Sequence, residues 1–191
     1  MKSIFRKNVT RSSQTGFTLV ELLVVVTIIG LLVGLISVAV PKAIESGMKA
    51  KAKGELTSIV AAVKAYKQEY GRFPGDLSKT NLFASNSSPD TIKTLMKVLS
   101  GDSTALLDSQ VANPKGVRFF EGAKTDGTMD DPWGAQYLVL VDSSETGSLS
   151  YTNAGSVVNL RLSVLGVCYG KDGKADTATG SKNDIFSTDL K

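Results

Sequence analysis

From Phe17 to Val40 the chain runs through 24 residues with a single charged side chain, Glu21, near the start of the run. At about 1.5 Å per residue a helix of that length spans roughly 36 Å, enough to cross a hydrocarbon core of about 30 Å. Pro41 lacks an amide donor and crowds the preceding turn, so a kink or local opening is expected there. Beyond it the pattern turns amphipathic. Leu56, Ile59, Val60, Val63, Tyr66 and Tyr70 fall at offsets 0, 3, 4, 7, 10 and 14, one apolar stripe, with Lys49, Lys51, Lys53, Lys64 and Lys67 on other faces. The stripe predicts a helix to about residue 70 packed on a small sheet, with a coiled-coil partner as the alternative. Gly71-Arg72-Phe73-Pro74-Gly75 is the stop signal.

The rest of the chain reads as short elements. Residues 78–113 are polar and rich in Ser, Thr and Asp, with one short helix that Asp90 could cap and Ile92, Leu95, Met96 and Leu99 could face inward. Val117–Phe120 is a strand candidate, followed by a Gly/Asp loop to Asp131 and a turn at Asp131-Pro132-Trp133-Gly134. Tyr137–Val141 alternates as a strand, 143–156 reads as a long polar hairpin loop, and 159–167 as the last strand, with Leu160, Leu162, Val164 and Gly166 on one side. The expected class is α+β: a long N-terminal helix, its first half transmembrane, packed by its second half on a small antiparallel sheet. The organisation expected is a basic polar stretch over 1–16, a membrane helix over 17–40 and one domain over 41–191, with the sheet and a terminal loop in 114–191.

Charge narrows the function. There are 22 Lys and Arg against 18 Asp and Glu, and Lys2, Arg6, Lys7 and Arg11 of the stretch over 1–16 account for the whole excess. The remainder is neutral and carries no basic cluster interleaved with aromatics, so no nucleic-acid partner is expected. A single cysteine, Cys168, excludes an intramolecular disulfide, and the lack of histidine removes the commonest general base and transition-metal ligand. Neither a nucleophile elbow nor a phosphate-binding glycine loop is present, and no enzyme activity is expected.

Glu21 is the feature that needs explaining. A carboxylate inside a membrane span costs on the order of 2.5–3.5 kcal/mol and is tolerated where it finds a partner. A secretory signal cleaved near Ser37-x-Ala39 is one reading of the apolar run, but signal cores are shorter and carry no acid. The basic stretch before Phe17 would stay on the cytoplasmic side.

The string Gly16-Phe17-Thr18-Leu19-Val20-Glu21 before an apolar helix resembles the signature of type IV pilins and type II secretion pseudopilins. The resemblance implies cleavage after Gly16 by a prepilin peptidase, methylation of the new amine on Phe17, and pairing of Glu21 with that amine on a neighbouring subunit during assembly. The string KAYKQEYGRFPGD and the DPWG turn followed by Gln136-Tyr137 are similar to segments of the major pseudopilins. The absence of a second cysteine leans the same way. The family reading is a structural subunit of a periplasmic pseudopilus that drives export through the type II secretion system. It would be single-pass in a bacterial inner membrane, with its leader cytoplasmic and its C-terminal domain periplasmic, before joining the fibre. Its partners would be itself in a helical homopolymer, the prepilin peptidase, the inner-membrane platform, minor pseudopilins and the membrane. A surface type IV pilin used for adhesion, motility or DNA uptake is the alternative. A membrane-anchored periplasmic enzyme or binding protein is a third reading, which leaves Glu21 without a purpose.

The C-terminal run Gly170-Lys171-Asp172-Gly173 through Asn183-Asp184-Ile185 is the second informative segment. Hard cations take several oxygen ligands, which Asp, Asn and main-chain carbonyls in a glycine-permitted loop can supply, although the spacing is not that of an EF-hand. The run is similar to the calcium loop of pseudopilins. On that likeness Asp172 and Asp184 are the leading ligand candidates for calcium, with Asn183 and Asp176 beside them and carbonyls of 169–174 completing the shell. The segment TATGSK is less acidic than the family pattern, and a solvated turn without an ion is the alternative.

Overall fold

The computed structural model describes residues 16–75, 80–83, 91–107, 110–153, 156–174 and 183–188. Residues 1–15, where most of the expected leader falls, Asp90 and Asp176 lie outside the described residues. The chain divides into two compact units, one ending at Ile44 and the other beginning at Glu45.

Helix α1 spans Leu19–Tyr70 and continues through Pro41, where a local opening was expected. It stops where Gly71 takes a positive φ of 70° and donates its N–H to the Lys67 carbonyl at 2.8 Å. That is the glycine C-terminal cap the sequence signals. In the second unit the predicted stripe is the buried face: Leu56, Ile59, Val63 and Tyr66 are buried, with Val60 and Tyr70 half-buried at its edge. The five flanking lysines are exposed except Lys67, which is half-buried.

Four strands form the main antiparallel sheet in the order β1–β4–β7–β8: β1 (Thr80–Phe83), β4 (Leu138–Asp142), β7 (Val164–Cys168) and β8 (Ile185–Phe186). Helix α2 (Thr91–Leu99) and the two-residue strands β2 (Leu106–Leu107) and β3 (Gln110–Val111) lie between β1 and β4 in sequence. Strands β5 (Leu149–Asn153) and β6 (Ser156–Leu160) make a separate hairpin. The period of two in β4 sorts its side chains onto two apolar layers. Val139 and Val141, with Val164 and Cys168 of β7, pack with α1 and with Ile92, Leu95, Met96 and Leu99 of α2. Leu138 and Leu140, with Leu165 and Val167, pack under Leu149, Tyr151 and Leu160 of the hairpin. Gly166 faces α1, and a Cβ there would stand 2.9 Å from a Leu56 methyl, so its small size lets helix and sheet approach.

The α+β class and the short helix are borne out, and several boundaries are corrected. The span 143–156, expected as a polar loop, contains β5, whose Leu149 and Tyr151 cover the second face of the sheet. Among the described residues of this span, 143–148 form the turn. There the buried Asp142 carboxylate accepts from the main-chain N–H groups of Thr146 (3.2 Å) and Gly147 (2.7 Å). The strand expected over 159–167 is two strands, β6 and β7, parted at 161–163, so Leu160 and Val164 serve different layers. Val117–Phe120 is not a strand. The N–H groups of Phe119 and Phe120 both donate to the Leu99 carbonyl, at 2.8 and 3.0 Å, closing the C-terminus of α2 instead of pairing in a sheet. The span 78–113 also contributes more than an excursion. It supplies β1 and the buried Asn113, which donates to the carbonyls of Val98 and Val117 and accepts from the Tyr70 hydroxyl.

Candidate functional sites

At the start of α1, Thr18 and Glu21 cap each other. The Thr18 hydroxyl accepts from the Glu21 N–H at 3.2 Å, while the Glu21 Oε2 accepts from both the N–H and the hydroxyl of Thr18 at 2.8 Å. This reciprocal pairing satisfies two amides that an α-helix start would leave open. The Thr-x-x-Glu spacing announces it, but the sequence reading assigned Glu21 to assembly alone and gave Thr18 no part. Phe17 next to it is 82% exposed, and the large apolar side chains from there to Val40 are exposed by between 46 and 82%. Nothing among the described residues covers that surface, and the stretch is long and apolar enough to cross a membrane. Its interior hydroxyls are satisfied within the helix, Thr27 donating to the Leu23 carbonyl and Ser37 to that of Val33, each at 2.7 Å. Internal satisfaction of this kind is what a lipid environment demands of a polar group.

The second candidate is the terminal loop. Gly170–Asp172 forms one 3-10 turn after β7, with left-handed backbone at Gly170 and at Gly173, where φ is 66° and 63°. A Cβ on Gly170 would stand 2.5 Å from the Asn183 carbonyl oxygen, so only glycine lets the two segments of the loop meet. Asp172 Oδ1 accepts from the Lys174 N–H at 3.1 Å, and that bond, followed by one from the Asn183 side chain, holds its carboxyl below the usual range. Asp184 follows Asn183 into β8, near enough to Cys168 and Tyr169 to help push the pKa of each up, burial being the largest cause in both. Asp172 and Asn183 are thus brought together, and Asp184 lies on the side of the loop toward Cys168. Among the described residues no three Asp, Glu, Cys or His side chains converge on one point.

Behind the loop is a pair that the sequence reading passed over. The Cys168 Sγ donates to Asp131 Oδ2 at 3.0 Å and accepts from the Gly170 N–H at 3.4 Å. Asp131 Oδ1 accepts from the N–H groups of Trp133 and Ala135, each at 2.9 Å, and so builds the DPWG turn from within. Burial, then the hydrogen bond to Asp131, pushes the Cys168 thiol up to about 12, which keeps it neutral and a donor at ordinary pH. Trp133 is half-buried against the core, as expected of an anchor beside a proline turn. Tyr137, just beyond, donates to Glu55 of α1, and burial followed by that bond raises its phenol strongly.

The family profile described as "Prokaryotic N-terminal methylation motif" matches residues 11–37, which include Gly16, Phe17 and Glu21. The chain carries a prepilin methylation motif. It is also similar to the type II secretion system core protein G of Pseudomonas aeruginosa, with 28% identity over 138 residues, 71% of this chain and 79% of that protein. No solved structure matches it. The resemblance read from the Gly16–Glu21 string is therefore borne out at both the motif and most of the chain's length.

Proposed function

We propose that this chain is a structural, non-enzymatic subunit of a type II secretion pseudopilus, cleaved after Gly16 and assembled through its N-terminal helix. The observation that carries this reading is the extent of the likeness to core protein G. An alignment of 138 residues runs far beyond the motif at 11–37, into the sheet domain. The exposed apolar surface from Phe17 to Val40 supports it, since a bundle of such helices would cover what one chain leaves open. In that bundle the amine of Phe17 would be a buried charge, and Glu21 on a neighbour can neutralise it. The chain would sit in the inner membrane with residues 1–16 cytoplasmic and the sheet domain periplasmic. Prepilin peptidase, platform protein and minor pseudopilins would act on it or join it as separate chains.

The terminal loop suits a calcium ion. The Gly170 backbone meets the Asn183 carbonyl so closely that a Cβ would stand 2.5 Å from its oxygen, which joins the two segments of the loop, and the side chains beside it carry oxygens, the chemistry a hard cation takes. Asp172, Asn183 and Asp184 would hold the ion, with Asp176 and carbonyls of 169–174. Bound there, calcium would neutralise the carboxylates and join the two segments of the loop. The experiment that tests the subunit reading is replacement of Glu21 by Leu in cells that overproduce the secretion machinery. Membrane insertion should persist or improve, because an expensive charge is gone, while fibres should be lost. Fibres at the wild-type level would overturn the proposed pairing.

A further inference from the structure

A groove of about 770 Å³ runs beside α1 in the second unit, between the helix and the segment that follows the cap of α2. Its floor is made of small side chains. Gly54, Ser58, Ala61 and Ala65 lie at offsets 0, 4, 7 and 11 on one face of the helix, exposed except for the half-buried Ala65. Phe119, Phe120 and Met129 form the wall. Gly122 shapes it, since a Cβ there would stand 2.5 Å from the Phe120 ring. The Ser58 hydroxyl donates to the Gly54 carbonyl at 3.0 Å, so it is satisfied within the helix. Charges stand at the margins. Glu55 accepts from Tyr137, and Glu121 is exposed beside the wall. Lys51, at the N-terminal end of the floor, is 66% exposed and reaches Glu55 only at 3.8 Å.

Such a floor admits a second helix at close range, and the helix that seats there must be uncharged over the floor's length, about 17 Å. Helix α2 is nine residues long with its apolar face buried. Among the described residues that leaves the membrane half of α1, uncharged from Leu22 to Pro41 and uncovered. A helix cannot seat in a groove built on its own continuation, so the occupant comes from a second copy. One face of that half carries Glu21, Val25, Ile28, Leu32 and Ile36, and its four apolar members are exposed by between 46 and 55%. They are large where the floor is small. We propose that the groove seats the membrane half of α1 of a second copy, with Glu21 at Lys51 and Val25, Ile28, Leu32 and Ile36 over Gly54, Ser58, Ala61 and Ala65. The docking rests on the reading of the chain as a fibre subunit, in which all copies leave one membrane with one topology and their helices run parallel. In that register the apolar ridge fills the groove, and the carboxylate at its start meets the lysine at the groove's start. Glu21 Oε2 is already held by Thr18, so Lys51 joins an aimed acceptor, as a second cation beside the Phe17 amine of a neighbour.

Gly54→Leu separates the groove from the fold. A Cβ at Gly54 meets nothing within 4 Å, and a helix interior favours leucine over glycine, so the full-length variant in detergent should melt no lower than wild type. In cells overproducing the secretion machinery, at matched membrane levels, it should nonetheless give about tenfold fewer fibres or worse. Lys51→Glu should lose fibres too, and Lys51→Arg should keep them. Leu32→Cys combined with Ala61→Cys in one chain should give a ladder of disulfide-linked multimers in oxidised fibres. Neither single variant should do so, since the native Cys168 is buried. Wild-type fibre numbers from Gly54→Leu, or fibres of the double variant without a ladder, overturn the docking and leave the subunit reading standing. Wild-type fibres with lost export in Gly54→Leu do the same and give the groove to an exported protein. No fibres from wild type overturn the subunit reading and the docking with it.

Discussion

Glu21 is held in place before any neighbour arrives. Its carboxylate is aimed by the N–H and hydroxyl of Thr18, one residue from the Phe17 amine, so a second subunit's amine would meet an acceptor already oriented. Thr18→Val should remove the hydroxyl half of this cap and destabilise the first turn by about 1 kcal/mol. Fibre yield should then fall less than in Glu21→Leu, a ranking that electron microscopy of the two variants checks. Processing is the companion prediction. Intact-mass measurement of the membrane form should place the first residue at Phe17, one methyl group heavier than the unmodified chain, and a terminus after Ala39 would contradict it. Gly16→Leu should leave the precursor uncut. At Cys168 the prediction concerns pH. The folded thiol loses its proton only near 12, while the unfolded one does so near its ordinary value of 9.0. Between those values the unfolded state releases a proton the native state keeps, so this contribution to stability is whole below about pH 9 and is lost as pH rises toward 12. Denaturant midpoints measured from pH 8 to 11 should fall, and fall less in Cys168→Ala. The Gly16–Glu21 string was legible as a motif, and the methylation profile over 11–37 bears out that likeness. The Cys168–Asp131 pair was not, because 37 residues separate the partners and neither sits in a spacing that predicts contact.

Periodicity explains which elements could be read. The stripe from Leu56 to Tyr70 and the face of α2 repeat at helical spacing and are buried as predicted. The hairpin failed because its polar residues outnumber Leu149 and Tyr151, and because the apolar layer beneath it comes from the far side of β4. No Gly or Pro separates β6 from β7, so the break at 161–163 had no local signal. Val117–Phe120 misled for the opposite reason. Its residues favour a strand, but its amides are committed to capping α2 and to Asn113. Leu149→Ala, which empties the layer under the hairpin, should cost about 2–5 kcal/mol in denaturant unfolding of the sheet domain. Val157→Thr on the hairpin's exposed face should change it by no more than about 0.5 kcal/mol. For the terminal loop, the sheet domain of the full chain should melt higher in millimolar calcium than in chelator, and Asp184→Ala should remove most of the difference. Magnesium should substitute poorly, since it demands a tighter octahedral shell.

Across the whole molecule, one fact joins the sheet domain to the apolar helix. The net charge of +4 lies in the sixteen residues that cleavage would remove, so the remaining chain has 18 bases against 18 acids and no net charge opposing its own polymerisation. What it retains is a membrane-length apolar surface with one carboxylate at its start and no partner in the described chain. In a single chain that arrangement gives an anchor and a capped helix start, whereas the proposed fibre would also cover the apolar surface and pair the carboxylate. The most direct measurement is a count of fibres by electron microscopy in cells overproducing the secretion machinery with wild-type or Glu21→Leu protein, at matched membrane levels. The account predicts periplasmic or sheared surface fibres built of the wild-type chain and few or none from Glu21→Leu. Equal numbers from both, or none from wild type, would contradict it.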